Sequence, residues 1–83
     1  MKVYDELFEA NPDALTPDGL ESAYIGHTYG GCRPAVAVYD VEKCILATME
    51  DLSITREQAE EYLEHNTFCA YVGEHGPLYV VRC

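Results

Sequence analysis

The hydrophobic pattern of the chain is most informative around Asp40, where a strand-like run changes into a helical period. Residues 35–39 are five consecutive apolar or aromatic residues, which is typical of a strand buried on both faces. After Asp40, apolar residues recur at i, i+3, i+4 and i+7. Asp40 itself can cap the free amides at the start of a helix. The pattern predicts a buried strand over 35–39 and an amphipathic helix over 41–52.

A second helix is predicted to begin at Thr55, because Thr55 and Gln58 have the spacing of a capping box. The apolar face that favours a helix over 55–71 is formed by Ala59, Tyr62, Leu63, Asn66 and Ala70. Asn66 shares that face, so its amide needs hydrogen-bond partners if it is buried, and we expect it to bond the backbone of a neighbouring element. The alternative for the end of this segment is a β-hairpin over 68–81 with residues 73–77 as its loop.

The rest of the chain predicts one short helix and two further strands. Residues 2–9 have apolar positions at helical spacing, and a turn-rich connector follows over 11–19. Strands are predicted over 22–29, where Gly26 indicates a bulge or a close backbone approach, and over 78–82. The predicted fold class is α+β, with a small three-stranded antiparallel sheet of strands 22–29, 35–39 and 78–82 packed on helices 41–52 and 55–71. The order of the strands is left open.

The length and the charge of the chain narrow this picture. Its 83 residues are the size of one domain, in which we distinguish an N-terminal helix and connector over 1–19 from an α+β core over 20–83. Fifteen Asp and Glu residues oppose five Lys and Arg residues, so the formal net charge is -10. Such a charge repels nucleic acid and anionic membranes and attracts basic proteins. The alternative is that the acidic charge only keeps the protein soluble and attracts no partner.

The sequence contains no motif of catalytic or metal-ligating residues. None of the four cysteines has the close spacing that zinc sites use: Cys32, Cys44, Cys69 and Cys83. The N-terminus lacks the apolar segment of a signal peptide, so we expect reduced thiols in a cytoplasm, with no metal and no cofactor. His27 and His75 are candidates for acid–base pairs with Asp40 or Glu74, but no spacing requires such pairs. We therefore predict that the protein is not an enzyme.

The second helix has an outer face of carboxylates, opposite its apolar positions. This acidic face consists of Glu57, Glu60, Glu61 and Glu64. Four carboxylates then lie along about 10 Å of helix axis, a length over which one strand of duplex DNA presents about three phosphates. Because neighbouring carboxylates repel each other, stability alone would favour lysines here. The acidic face is predicted to bind a protein surface rich in Arg and Lys, and a solvated face without a partner is the alternative.

Two apolar features are further candidates for contact with a partner. Leu46 falls about 140° from the start of the apolar stripe of the first long helix, so it either meets another helix or is exposed. The tyrosines are predicted to lie mostly in the core with their hydroxyls at polar edges. An aromatic patch on the open side of the sheet would suit a protein interface.

Four stretches of the sequence resemble a family of small acidic proteins encoded by bacteriophages and prophages. They are AYIG at 23–26, AVYDVEKCI at 37–45, EQAEEYLEHN at 57–66 and AYVGEHGPLYV at 70–80. The resemblance covers residues 20–81 and implies a phage origin, but it carries over no activity and no catalytic residues. The chain departs from the usual pattern at residues 67–69 and in its first 19 residues, where partner choice could lie.

Charge and resemblance together predict a non-enzymatic inhibitor of a bacterial defence system, with an anti-CRISPR protein as the leading version. Its partner would be a basic host protein, such as a CRISPR effector subunit, in the cytoplasm of the infected bacterium. The predicted contact residues are the acidic face and Leu46, on a monomer or small homo-oligomer. The alternatives are a phage structural or assembly accessory protein that forms a homo-oligomer, and a small ligand-binding regulator.

Overall fold

The computed structural model describes residues 3–70 and 72–82, and it has the predicted α+β fold. Within these described ranges, three α-helices and three strands follow one another, together with a 3₁₀ turn at Glu21–Ala23. In chain order they are α1 (Asp5–Ala10), β1 (Tyr24–His27), β2 (Ala37–Asp40), α2 (Val41–Leu52), α3 (Arg56–Leu63) and β3 (Leu78–Val80). A five-residue π-helical turn, Glu64–Phe68, continues α3.

The sheet is mixed, so the prediction of a purely antiparallel sheet is wrong. The strand order is β1-β2-β3; β1 pairs antiparallel with β2, whereas β3 pairs parallel with β2. The reason lies in residues 69–77, whose described members form neither helix nor strand. Residues 72–77, which include a turn closed by the Gly76 amide and the Gly73 carbonyl, lead the chain to the end of the sheet where β2 begins, so that Leu78 pairs with Val38. The register shifts between Tyr24 and Gly26, which confirms the predicted bulge.

The two long helices begin where the sequence predicts. Asp40 caps α2, since its Oδ1 accepts a hydrogen bond from the Lys43 amide at 3.3 Å. Thr55 and Gln58 form the complete capping box of α3, with each side chain accepting from the other residue's backbone amide at 3.2 and 3.1 Å. These contacts satisfy amides that the first turn of a helix leaves free. They fix the start of α3 and therefore the direction in which its carboxylates point.

The end of the second helical segment differs from both predictions. The α-helix does not continue to residue 71, which lies outside the described residues, and no hairpin forms among residues 68–70 and 72–77. Instead, the π-helical turn brings Phe68, five residues after Leu63, onto the core. Asn66 is turned outward and exposed, where its Nδ2 donates to the Tyr62 carbonyl at 2.9 Å. The prediction that Asn66 lies on the apolar face and bonds a neighbouring element is therefore wrong, because the widened turn rotates the apolar face past it.

One hydrophobic core joins the helices, one side of the sheet and the N-terminal segment. Its most buried side chains include Leu7, Tyr39, Cys44 and Leu63. An aromatic row crosses this core, in which each ring contacts the next: Phe8, Tyr4, Tyr24, Tyr39, Tyr79 and Phe68. The hydroxyls of Tyr4 and Tyr39 are hydrogen-bonded at 2.7 Å. Most tyrosines thus serve the core, and the N-terminal helix packs on the same core as the rest.

None of the helices in the described part of the chain is long and apolar enough to cross a membrane.

Candidate functional site

The acidic face of α3 is fully formed and open to solvent. All four of its residues, Glu57, Glu60, Glu61 and Glu64, are exposed, while Ala59 and Leu63 on the opposite side of the helix are buried. Glu64 has α-helical backbone angles, and its amide donates to the carbonyls of Glu60 and Glu61. The π-helical turn therefore begins at the last member of the face without disturbing its spacing. The structure brings the four predicted residues together on one surface.

Arg56 is the basic residue that contacts this surface. Its guanidinium donates two hydrogen bonds of 2.7 Å to the carboxylate of Glu42 on α2, and its Nε lies 3.2 Å from Glu60 Oε2. The hydrogen bond from Arg56 lowers the pKa of the Glu42 carboxyl, and Glu42 in turn raises the pKa of Arg56. The pair is exposed, so it contributes little to stability. Its effect is to join the acidic face of α3 to the surface of α2.

The other three carboxylates are not neutralised. Within residues 3–70 and 72–82, Glu57, Glu61 and Glu64 make no ion pair with any described side chain. Glu57 and Glu61 are also separated by one helical turn, which places their like charges side by side. The acidic face is therefore a source of negative potential that the rest of the described chain leaves uncompensated.

Leu46 is exposed on α2 and does not belong to the core cluster. It is 50% exposed and stands one helical turn from Glu42 and one from Glu50 on the same side of α2. Arg56 joins Glu42, at one end of this row, to Glu60 of the acidic face. Leu46 is therefore flanked by two carboxylates of its own helix.

The two histidines that were considered as acid–base candidates have structural partners. The His27 Nδ1 donates to the Thr28 carbonyl at 2.8 Å. Asn11 Nδ2 donates to the Ala35 carbonyl and, at 3.0 Å, to the ring nitrogen Nδ1 of His75. Asn11 Oδ1 accepts from the Asp13 amide, which fixes the orientation of the Asn11 side chain. Neither ring is paired with Asp40 or Glu74 among the contacts of the described residues.

The cysteines and acids do not assemble into a ligand set. No group of three or more His, Cys, Asp or Glu side chains that could hold a metal occurs in the described ranges. Cys32 and Cys69 are exposed, whereas Cys44 is buried against the core. Burial, with a smaller effect from the charge of Asp40, raises the pKa of the Cys44 thiol to about 11. Cys44 is therefore protonated and inert at neutral pH, and Cys83 lies outside the described residues.

The structure also contains a groove that the sequence patterns did not indicate. It has a volume of about 630 Å³ and lies between the segments 28–36 and 70–78. Its wall residues are mostly apolar, and Arg33 and Glu74 contribute one charge of each sign. The signal in the sequence is a Gly and a Pro in both segments, which shape two facing loops. Such a groove depends on residues far apart in the chain, so it could be recognised only after the loops were placed.

Comparisons with protein-family models, with curated proteins and with solved structures found no match to the chain.

Proposed function

We propose that the protein is a non-enzymatic inhibitor of a bacterial defence system, with an anti-CRISPR protein as the leading version. In this proposal the acidic face occupies a basic, nucleic-acid-binding surface of a host protein and blocks access to DNA or RNA. The observation that carries the proposal is the set of exposed, unpaired carboxylates Glu57, Glu61 and Glu64 on one side of α3.

The spacing of these carboxylates is close to that of phosphates on a nucleic acid strand. Glu57 and Glu64 are seven residues apart, which corresponds to about 10 Å along the helix axis. A basic groove that binds DNA meets about three phosphates of one strand over the same length. A rigid helix that presents three or four carboxylates can therefore form ion pairs with the same arginines and lysines. Its affinity would come mainly from charge, as that of the nucleic acid does.

Leu46 adds an apolar contact on α2, next to Glu42 and Glu50. A surface that bound only through charge would be poorly specific, because any basic protein would satisfy it. An exposed leucine between Glu42 and Glu50 can fill a hydrophobic pocket next to a basic groove, and it favours partners that have both features. In this proposal Leu46 selects the partner, and the carboxylates supply the attraction.

The resemblance to small acidic phage proteins supports the proposed setting. Small acidic proteins are suited to occupying host machinery that normally binds nucleic acid, since they need no active site. On this basis we propose that the protein acts in the cytoplasm of an infected bacterium.

The test begins with affinity capture from a bacterial lysate on the immobilised protein, with elution by increasing salt. The captured protein is then purified, and displacement of labelled DNA or RNA from it is measured by fluorescence anisotropy. We expect displacement at low salt and a steep loss of affinity as salt rises. The triple variant Glu57→Lys, Glu61→Lys, Glu64→Lys should abolish displacement.

A matched control separates the acidic face from the net charge. The triple variant Glu6→Lys, Glu9→Lys, Asp13→Lys makes the same change of charge at three exposed residues of the N-terminal segment. It should lower the affinity only slightly, through the long-range field. If both triple variants displace nucleic acid as well as the original protein does, or if binding does not respond to salt, the acidic face is not the contact surface.

The homo-oligomeric accessory role draws on a different set of residues and receives less support. It requires a tyrosine patch on the surface, but Tyr4, Tyr24, Tyr39 and Tyr79 form a row against the core. Leu46 and the exposed Tyr29 and Tyr62 would remain as its contacts.

A further inference from the structure

The segment 72–77 forms one wall of the groove, and few contacts hold it to the rest of the molecule. None of its residues is buried, and none belongs to the core cluster. Its turn is closed internally, since the Gly76 amide donates to the Gly73 carbonyl at 3.1 Å. Within residues 3–70 and 72–82, two hydrogen bonds join the segment to another part of the chain. Both of them end on His75.

The partners of His75 lie on the N-terminal connector. The Leu15 amide donates to the His75 carbonyl at 3.0 Å, and Asn11 Nδ2 donates to Nδ1 of the imidazole, also at 3.0 Å. The chain neighbours of His75, Glu74 and Gly76, line the groove, whereas its own ring contacts Asn11. His75 therefore fastens the groove wall to the connector through one backbone bond and one bond of its ring.

Asn11 is buried, and its other contacts fix the direction of its amide group. Its Oδ1 accepts from the Asp13 amide at 3.1 Å, and its Nδ2 also donates to the Ala35 carbonyl at 2.8 Å. A rotation of the amide group by half a turn would bring oxygen against the Ala35 carbonyl and nitrogen against the Asp13 amide, so both bonds would be lost. Nδ2 must therefore point at His75, and the ring nitrogen that it meets must be an acceptor.

The neutral imidazole meets this requirement and the imidazolium does not. A neutral histidine with its proton on Nε2 has a free lone pair on Nδ1, whereas both ring nitrogens of the charged form are donors. Protonation would place an N–H group of His75 opposite an N–H group of Asn11. Imidazoles commonly change their charge between about pH 5 and 8. Because Nδ1 can bind a proton only after the ring has left Asn11, acid favours the detached state of the segment.

The charged groups around these contacts do not oppose a charged imidazole. The charged residues within two positions of a residue that makes them are Glu9, Asp13, Arg33 and Glu74. None of the four forms an ion pair with another side chain in the described part of the chain. Three carboxylates outweigh one guanidinium, so an imidazolium that turns away from Asn11 lies in a favourable field.

We propose that His75 is a pH-sensitive latch on the groove. In its neutral form it holds the segment 72–77 against the connector, and its protonation in mildly acidic solution releases the segment and widens the groove. The domain stays folded when the latch opens, because the core cluster contains no residue of the segment. The latch uses no residue of the acidic face, so this proposal and the proposed function can fail independently.

The first test is hydrogen exchange of single amides, measured by NMR between about pH 5 and 8 and expressed as protection factors, which correct for the pH dependence of exchange itself. Carboxyl groups generally titrate near pH ~4, so histidines are the main groups that change charge in this range. We expect the protection of the Leu15 and Gly76 amides to fall about tenfold at the acid end, the size of effect that one unsatisfied buried donor produces. Amides of α2 should keep their protection.

The second test follows the ring of His75 itself. Long-range nitrogen–proton NMR distinguishes a protonated ring nitrogen from an unprotonated one. At the alkaline end of the range, Nδ1 should carry no proton. It should gain one over the same pH interval in which the protection of the Leu15 amide falls.

Variants of two histidines separate the latch from other effects of acid. His75→Gln keeps an acceptor but cannot gain a proton, so the protection of the Leu15 and Gly76 amides should be equal at both ends of the range. His75→Ala removes the ring bond, and protection should be low throughout. His65→Gln is the matched control, because His65 is exposed on the π-helical turn, and the response to pH should be unchanged.

Constant protection of the Leu15 amide across the range in the original protein would overturn the proposal, and so would a proton on Nδ1 of His75 at the alkaline end. A fall in protection that persists in His75→Gln would show that another group causes it. An equal fall in the amides of α2 would also contradict the latch, since acid would then destabilise the whole domain.

Discussion

The two sides of this small domain differ in the kind of force by which they can bind. Segment 41–68, which holds α2 and α3, contains seven acids and two bases, and its exposed leucine Leu46 is flanked by carboxylates. Segments 21–40 and 69–83, which contain the strands, have a net charge of -1, and Tyr29, Val72 and Leu78 are exposed around the groove. A charged surface attracts cations at long range, and salt weakens that attraction. An apolar surface acts only on contact.

This difference follows from the position of the core. The core cluster contains neither the carboxylates of α3 nor Tyr29, Val72 and Leu78. Substitutions at these exposed residues are therefore expected to leave the fold intact. Pairs of like residues, one in the shared core or at a junction and one on a surface, test this separation.

Loss of a core contact should have the largest effect. Leu63 is 1% exposed and its neighbour Tyr62 is 45% exposed, although both were predicted to lie on the buried side of α3. We expect Leu63→Ala to lower the free energy of unfolding by about 2–5 kcal/mol, which would leave a domain of this size partly unfolded. Tyr62→Ala should cost about 1 kcal/mol or less. Urea denaturation measures both, and equal losses would show that the α3 face is assigned wrongly.

This pair also shows how far the helical period could be read from the sequence. The caps at Asp40 and Thr55 depend on residues within three positions, so local spacing predicted them correctly. The π-helical turn brings Phe68 against Tyr79 of β3, a residue that lies eleven positions further along the chain. A regular period of 3.6 residues cannot anticipate an inserted residue. Asn66 was therefore assigned to the wrong side, whereas Glu57, Glu60 and Glu61, which precede the widened turn, and Glu64, its first residue, were placed together correctly.

The junction between the N-terminal connector and the groove should show the next largest effect. Asn11 is buried, and its amide group contacts the Ala35 carbonyl, His75 Nδ1 and the Asp13 amide. Asn11→Ala leaves these groups without a partner, so we expect a loss of about 1–3 kcal/mol. The exposed Asn66 makes a single side-chain bond, and Asn66→Ala should cost less than about 1 kcal/mol.

Hydrogen exchange locates the effect of the first variant. The Gly76 amide donates to the Gly73 carbonyl within the groove wall, and its protection should fall in Asn11→Ala more than the protection of α2. A uniform loss of protection would mean that Asn11 supports the whole core and has no special link to the groove.

Local sequence patterns could not predict the groove or the direction of β3. The strand at 78–82 was predicted from its composition, and Leu78–Val80 is a strand. Its predicted antiparallel orientation was wrong. Two helices return the chain antiparallel to β2 only when a short turn follows them. Segment 69–77 instead crosses back along the sheet and is held by the Leu15 amide, which donates to the His75 carbonyl at 3.0 Å. That contact joins residues sixty positions apart.

The loss of stability at high pH tests the aromatic row, and we expect it to be smaller than the effects above. Burial raises the pKa of Tyr39, and it raises the pKa of Tyr79 to about 12. Above about pH 10 tyrosines of the unfolded chain lose their protons while these two keep them. The native state then binds more protons, so its stability falls as pH rises. We expect Tyr39→Phe to cost about 1 kcal/mol at neutral pH, through its bond to Tyr4, and to make the alkaline loss shallower.

The measurement is urea denaturation at several pH values between neutral and about 11, with tyrosinate absorbance as a second signal. Tyr29→Phe is the control, because Tyr29 is exposed and lies outside the aromatic row. An alkaline loss of stability that is the same in Tyr39→Phe and in the original protein would show that buried tyrosines do not cause it.

The smallest effect is the most direct test of why the acidic face exists. Glu61→Lys removes the repulsion between Glu57 and Glu61 and creates a Glu-to-Lys pair at i, i+4 in the favourable direction. We expect the domain to gain a few tenths of a kcal/mol, seen as a slightly higher thermal midpoint, and Glu61→Gln to gain about half as much. The same substitution should weaken binding of the basic partner. A residue that lowers the stability of a protein is expected to persist where it serves a function. If Glu61→Lys both destabilised the domain and left partner binding unchanged, the carboxylates of α3 would be part of the fold and not of a binding surface.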